Sequence, residues 1–216
     1  MIALEPLGEH AWLARFEDEL QAAGWAEAVR ALDLAGVTDV VLAYQSAAVF
    51  ADPERADLDA LEGRLRVLPP AASGVARGRL VRVPVLYDGE DLPMVAERLG
   101  LSTDEVIVRH SAREYRVFAI GFLPGFPYAG YLSDDLSGLA RRDSPRARVP
   151  AGSVAIVGRQ TGIYPQPSPG GWHLIGRTPR RIVDVERGHF PIRAGDRLQF
   201  VPIDAAEYQA RRGELL

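Results

Sequence analysis

Residues 149–177 read VPAGSVAIVGRQTGIYPQPSPGGWHLIGR. Two short apolar runs, 154–157 and 172–175, stand in this stretch between turns rich in Gly and Pro, the pattern of a barrel or sandwich built from short strands. Working outward, similar runs recur at 115–120, 181–185 and 197–201. Gly and Pro together number eighteen in residues 121–180 and five in residues 1–60, so the composition changes class along the chain. A last amphipathic helix is expected over 205–212.

Upstream of this region the periodicity alternates. Residues 10–16 read as a strand. Residues 18–34 carry Leu20, Ala23, Ala28 and Leu32 at near-helical spacing, with Gly36 placed as a C-terminal cap. Residues 37–44 and 47–51 read as a hairpin. Asp52-Pro53 supplies an N-cap and a Pro at the first helical position, which opens a helix through Leu58, Leu61, Leu65 and Leu68. The order β-α-β-β-α suits a small sheet with helices on one face. Residues 69–78, PPAASGVARG, have the composition of a linker, with its centre at 71–78. The expectation is therefore an α+β chain: an N-terminal α/β domain over 1–70 and a strand-rich domain over 79–216. Within the second, residues 80–87 alternate as a strand. One helix is opened by Asp91 and closed by Gly100, and the next starts at Ser102, where Ser102 and Glu105 form a capping box.

The 216 residues carry 25 basic and 29 acidic side chains, a formal charge of −4, and every basic residue is Arg. Lys, Asn and Cys are absent. That removes a Walker-type phosphate loop, a Schiff-base amine, a thiolate nucleophile and Cys-ligated metal. The acidic balance argues against a general nucleic-acid binder. No apolar run reaches membrane-spanning length and no basic leader opens the chain, so the expected setting is soluble and cytoplasmic. The four His show no metal-ligand spacing, and no metal site is expected.

Three groups of residues are candidates for chemistry. GFLPGFPYAGY, 121–131, brings Phe122, Phe126 and Tyr128 into a loop stiffened by Pro; it reads either as a plug of the barrel end or as a substrate-lining loop. Gln160, Tyr164, Ser168, Gly170 and Gly171 lie in a Gly-rich run where backbone amides approach a ligand closely, with Arg177 nearby to favour an anion; a plain turn is the alternative. His110 falls at the end of a capped helix, where the helix dipole favours its charged form. The cluster RRDSPRAR contains Arg142 and Arg146, which suit a carboxylate or phosphate.

Taken together, GFLPGFPYAGYL, PRARVPAGSVAIVGRQTGIYPQPSPGGWHLIGRTP and RAGDRLQFVP, with VPVLYDGEDLPMVAERLGLSTDEVIVRHS ahead of them, resemble the allophanate hydrolase subunit 1 family, whose members include the 5-oxoprolinase B subunit and a sporulation-kinase inhibitor. The resemblance implies a ferredoxin-like N-terminal α/β domain followed by a cyclophilin-like β-barrel. It implies a hydrolase component that is inactive alone and opens 5-oxoproline to glutamate with ATP, in company with an A subunit and a carboxyltransferase-type C subunit. ATP would be held with or by those partners. On the matching positions, His110, Gln160 and Tyr164 become catalytic candidates, and Arg142, Arg146 and Arg177 anion clamps. The same resemblance also allows a histidine-kinase inhibitor or a carboxyltransferase part of urea metabolism.

Overall fold

The computed structural model describes residues 2–70 and 78–216. Its contacts divide the chain into two compact units, 1–77 and 78–216. Residues 71–77 of the stretch read as a linker lie outside the described residues.

The first unit is built from β1 (Leu4–Pro6), β2 (Ala11–Arg15), α1 (Glu19–Ala31), β3 (Val37–Ala43), β4 (Ser46–Ala51) and α2 (Leu58–Val67). Asp18 caps α1 by accepting from the backbone N–H groups of Leu20 and Gln21 at 2.9 and 2.8 Å. Ala22, Trp25, Ala26 and Val29 recur at helical spacing, and this buried face packs on β3 and β4. The hairpin forms as expected, turning at Tyr44.

Three expectations for this unit change. The helix α1 ends at Leu32 rather than at Gly36, which lies in the turn before β3. Asp52 caps a tight turn by accepting from Glu54 N–H at 2.9 Å, while Asp57 caps α2. The sheet runs β1-β2-β4-β3, all antiparallel neighbours. A ferredoxin-like β-α-β-β-α-β order would complete the sheet with a strand after α2; here the N-terminal β1 takes that edge, beside β2.

The second unit is an α+β assembly around a nearly closed barrel-like sheet. Its elements are β5 (Leu80–Val85), α3 (Leu92–Leu99), α4 (Thr103–Ser111), β6 (Glu114–Ile120), β7 (Pro127–Gly130), β8 (Arg146–Val149), β9 (Ser153–Val157), β10 (Gln160–Ile163), β11 (Ser168–Gly170), β12 (His173–Arg177), β13 (Arg197–Pro202) and α5 (Ala205–Ala210). Seven strands run β12-β9-β10-β7-β6-β13-β5, and only β13 and β5 pair in parallel. The two edge strands then meet: Leu86 and Arg177 exchange backbone hydrogen bonds of 2.9 Å each way, joining the end of β5 to β12. β8 and β11 form a separate two-stranded ribbon.

Alternation sorts the side chains. Val154 and Ile156 of β9 join Val83, Val117, Ile163, Ile175, Leu198 and Phe200 in the main core, whereas Ala155 and Val157 face a smaller cluster with Phe126, Tyr164, Trp172 and Leu174. Residues 181–185 do not form a strand, because their backbone makes only isolated bridges, to Leu215 and His189. Part of the stretch read as an aromatic loop is strand β7, in which Tyr128 faces Ala119 of β6. Among the described residues no helix is long and apolar enough to cross a membrane.

Candidate functional site

The smaller apolar cluster underlies a cavity of about 260 Å³. Phe122, Phe126, Tyr128, Tyr164 and Trp172 form one part of its lining; Arg141, Arg142, Pro145 and the Pro169-Gly170-Gly171 backbone form the other. Phe126 is the centre of the aromatic wall. Its ring meets Tyr128, Tyr164 and Trp172 edge-on at 4.9, 5.2 and 5.3 Å between centroids, and Phe122 at 5.6 Å. Edge-to-face packing of this kind holds each ring in one orientation. Gly162 makes it sterically feasible, since a Cβ there would stand 3.0 Å from Phe126 and 3.1 Å from Trp172.

Tyr164 follows β10 directly and is buried. Burial raises the pKa of its phenol, partly offset by a hydrogen bond with the Trp172 backbone and by the charges of Arg141 and Arg146. The hydroxyl therefore stays protonated at neutral pH. It packs against Gly170, where a Cβ would lie only 2.4 Å from the oxygen. Gly170→Ala is accordingly expected to displace Tyr164 into the cavity and cost about 1–3 kcal/mol of stability. Denaturant unfolding of the variant, with Tyr and Trp fluorescence to follow the wall, checks this.

The cationic part of the lining is set by Asp91. This carboxylate stands at the N-terminus of α3 yet makes no capping bond there. Instead one oxygen accepts from Arg142 at 2.9 Å and Arg146 at 2.8 Å, and the other accepts from the Leu174 backbone N–H at 2.7 Å. Arg146 also pairs with Glu90 at 2.5 Å. Asp91 is 5% exposed, so one buried carboxylate fixes two guanidiniums. Arg141 is exposed and makes no ion pair or hydrogen bond among the described residues.

Of the residues singled out from the sequence, the structure brings Phe122, Phe126, Tyr128, Tyr164, Arg142, Gly170 and Gly171 to this cavity. Ser168 is buried in β11, and its hydroxyl has no hydrogen-bond partner among the described residues. Arg146 reaches Asp91 without lining the cavity. Gln160 opens β10 opposite Gly130, away from the lining. Arg177 closes the barrel edge; its guanidinium holds Asp88 through both carboxylate oxygens and lies 4.6 Å over the Tyr208 ring.

His110 is fully buried in the barrel interior. Its Nδ1 meets the Tyr87 hydroxyl at 2.8 Å and its Nε2 the Thr161 hydroxyl at 2.9 Å, with Phe200 stacked 4.5 Å away. The charged form expected at a helix end does not arise, because desolvation outweighs the helix dipole and pushes its pKa down to about 3. Among the described residues no three His, Asp or Glu side chains gather as metal ligands do.

Sequence reasoning did not single out Trp172, Pro145, Pro169 or Arg141 for the lining, nor Asp91 as its anchor. Trp172 after Gly170-Gly171 and the Arg141-Arg142 pair were the available signals. The link from Asp91 to the Arg cluster spans 51 residues and leaves no local trace.

The model of the carboxyltransferase domain, subdomain C and D, matches residues 2–191. The chain belongs to this carboxyltransferase-domain family. Curated members agree with it over nearly their whole length. The 5-oxoprolinase B subunit of Escherichia coli O157:H7 is 38% identical over 205 residues, which cover 91% of this chain and 94% of that one. The protein of the same name from Bacillus subtilis (strain 168) is 37% identical over 235 residues, covering 98% and 97%. Among solved structures, TTHA0988 is 40% identical with a TM-score of 0.80, covering 95% of this chain, which spans only 41% of that one. The Kluyveromyces lactis urea amidolyase, 15% identical at a TM-score of 0.72, covers 97% of this chain while the chain spans 15% of it, and it shares the fold of this family.

Proposed function

We propose that this chain is the B subunit of a multi-subunit, ATP-dependent 5-oxoprolinase, which opens 5-oxoproline to L-glutamate with an A subunit and a carboxyltransferase-type C subunit. The observation that carries the reading is the near full-length match to curated proteins of that name, at 37–38% identity. In this reading the barrel is cyclophilin-like, the first 70 residues are a domain of their own, and the complex works in the cytoplasm.

Opening an unstrained lactam is difficult chemistry. Transfer of the γ-phosphoryl group of ATP to the lactam oxygen makes the ring carbonyl carbon a better electrophile. Water then adds to that carbon and the C–N bond breaks with protonation of nitrogen, which leaves an acyl phosphate; a second water hydrolyses it to the carboxylate and phosphate. Charge gathers on oxygen throughout, where Arg and fixed hydrogen-bond donors are most effective. Arg holds charge but passes no proton near neutral pH, so in this chain proton donation at the site falls to groups such as the Tyr164 phenol. A cavity of about 260 Å³ lies below the usual range of drug-sized sites, roughly 300–1,000 Å³. It suits a five-membered ring better than a nucleotide, and ATP is accordingly assigned to the partner subunits.

The test is glutamate release from 5-oxoproline and ATP. No turnover is expected with this chain alone, and turnover is expected when candidate A and C subunits are added. A complete mixture that forms no glutamate would sink the reading. The kinase-inhibitor and urea-metabolism readings lack a comparable observation: the likeness to urea amidolyase is at the level of fold alone.

A further inference from the structure

Charges around the cavity can be counted from its ion pairs. Arg142 and Arg146 face Asp91, and Arg146 also faces Glu90, so two cations meet two carboxylates and their charge is used within the protein. Arg141 is on the same lining with no such partner among the described residues. Its charge acts on the phenols of both Tyr128 and Tyr164, which places the guanidinium within electrostatic reach of the aromatic wall. That wall is largely apolar and closely packed: Phe126, Tyr164 and Trp172 are 1%, 1% and 4% exposed. At the mouth stands Phe122, 61% exposed and held at a φ of 64°, a left-handed conformation that costs energy for a residue with a Cβ.

We infer that the cavity is a subsite for a small ring carboxylate, in which the ring lies on Phe126, Tyr128 and Trp172 and the carboxylate pairs with Arg141. The inference names the substrate contact of the proposed function and rests on that reading. Arg142, held back by Asp91, forms a wall of the subsite and is not its anion receptor. A small cavity walled by aromatic side chains fits the ring, and the guanidinium fork fits the two carboxylate oxygens. The neutral lactam without a carboxylate would keep the ring contacts and lose the ion pair.

Calorimetric titration of the full chain with 5-oxoproline and with 2-pyrrolidinone tests this, alongside KM for 5-oxoproline in the assembled complex. Arg141→Gln is expected to weaken 5-oxoproline roughly tenfold or more, as loss of a charge-assisted hydrogen bond does. Arg141→Lys should recover part of that loss, and 2-pyrrolidinone should bind weakly and equally to all forms. Arg148→Gln, an exposed neighbour outside the lining, should behave as the unaltered chain. An Arg141→Gln affinity and KM both within about twofold of the unaltered protein would overturn the inference, as would an equal loss for 2-pyrrolidinone. If the complex forms no glutamate, the function reading fails separately. The subsite then stands on Arg141-dependent binding of cyclopentanecarboxylate or benzoate by the chain, and falls without it.

Discussion

Replacing Asp91 by Ala is expected to destabilise the second unit by about 2–4 kcal/mol, because removing the buried carboxylate leaves Arg142 without an acidic partner and Arg146 with Glu90 alone. The carboxylate is buried, and Arg146 is 15% exposed at its side chain, so neither is well solvated when the other is gone. Arg142, one third exposed, can turn partly to water, which keeps the cost below that of a fully buried triad. Among the described residues some N–H groups already lack partners: Arg142 Nε and Arg146 Nη1 are buried without hydrogen bonds, and the loss of Asp91 would add to them. The Leu174 backbone N–H would lose its acceptor as well. Asp91→Asn can still accept from Leu174 and should cost less than the Ala variant. Urea unfolding of both variants measures the difference, and a loss under about 1 kcal/mol for Asp91→Ala would show that the pair does not anchor the lining.

The second large effect concerns acid. His110 has its pKa pushed down from 6.5 to about 3 by burial, so the unfolded chain binds a proton that the folded chain refuses. Stability from this group is complete above about pH 6.5 and is lost as the pH falls toward 3, at roughly 1.4 kcal/mol per pH unit. At pH 4.5 the loss should amount to about 3 kcal/mol. Carboxylates whose pKa values are lowered in the folded protein, Glu62, Glu105 and Asp135, withdraw their contributions only at lower pH, through their own titration range. Between about pH 6.5 and 5.5 those carboxylates stay ionised in both states, so the loss over that interval is His110's rather than theirs. In His110→Gln, which stays neutral and can still bond Tyr87 and Thr161, the slope over that interval should flatten even though stability at alkaline pH is lower. An unchanged slope would mean that another group carries the acid sensitivity.

Much of the fold was legible because local signals agreed with one another. The Ser102–Glu105 box starts a helix at the position its spacing implies, the helix read from 18 begins there, and the hairpin read over 37–51 forms. The departures have physical causes. An Asp that caps a turn looks in sequence like one that caps a helix, so Asp52 resembles a helix start that Asp57 in fact provides. Strands of three or four residues such as β8, β10 and β11 are too short to show a period, and β10 and β11 also contain Gly or Pro. Residues 181–185 have the right side chains but lack a neighbouring strand to pair with. At the site, composition pointed to the aromatic wall, since Phe, Tyr, Gly and Pro were concentrated there. Which Arg is neutralised was not legible, because that depends on a carboxylate brought from the start of a distant helix.

The parallel pairing of β5 with β13 constrains how the second unit is assembled. Arg82 and Gln199 bond across that pair although 117 residues separate them along the chain. On the ribosome, β5 emerges early and must wait for nearly the whole unit to follow before its partner exists. Closing so long a loop is entropically slow, so hairpins such as β9–β10 form early and the barrel is sealed last. Until then β5 offers an unpaired apolar edge, the point at which a nascent chain is most exposed to misassociation.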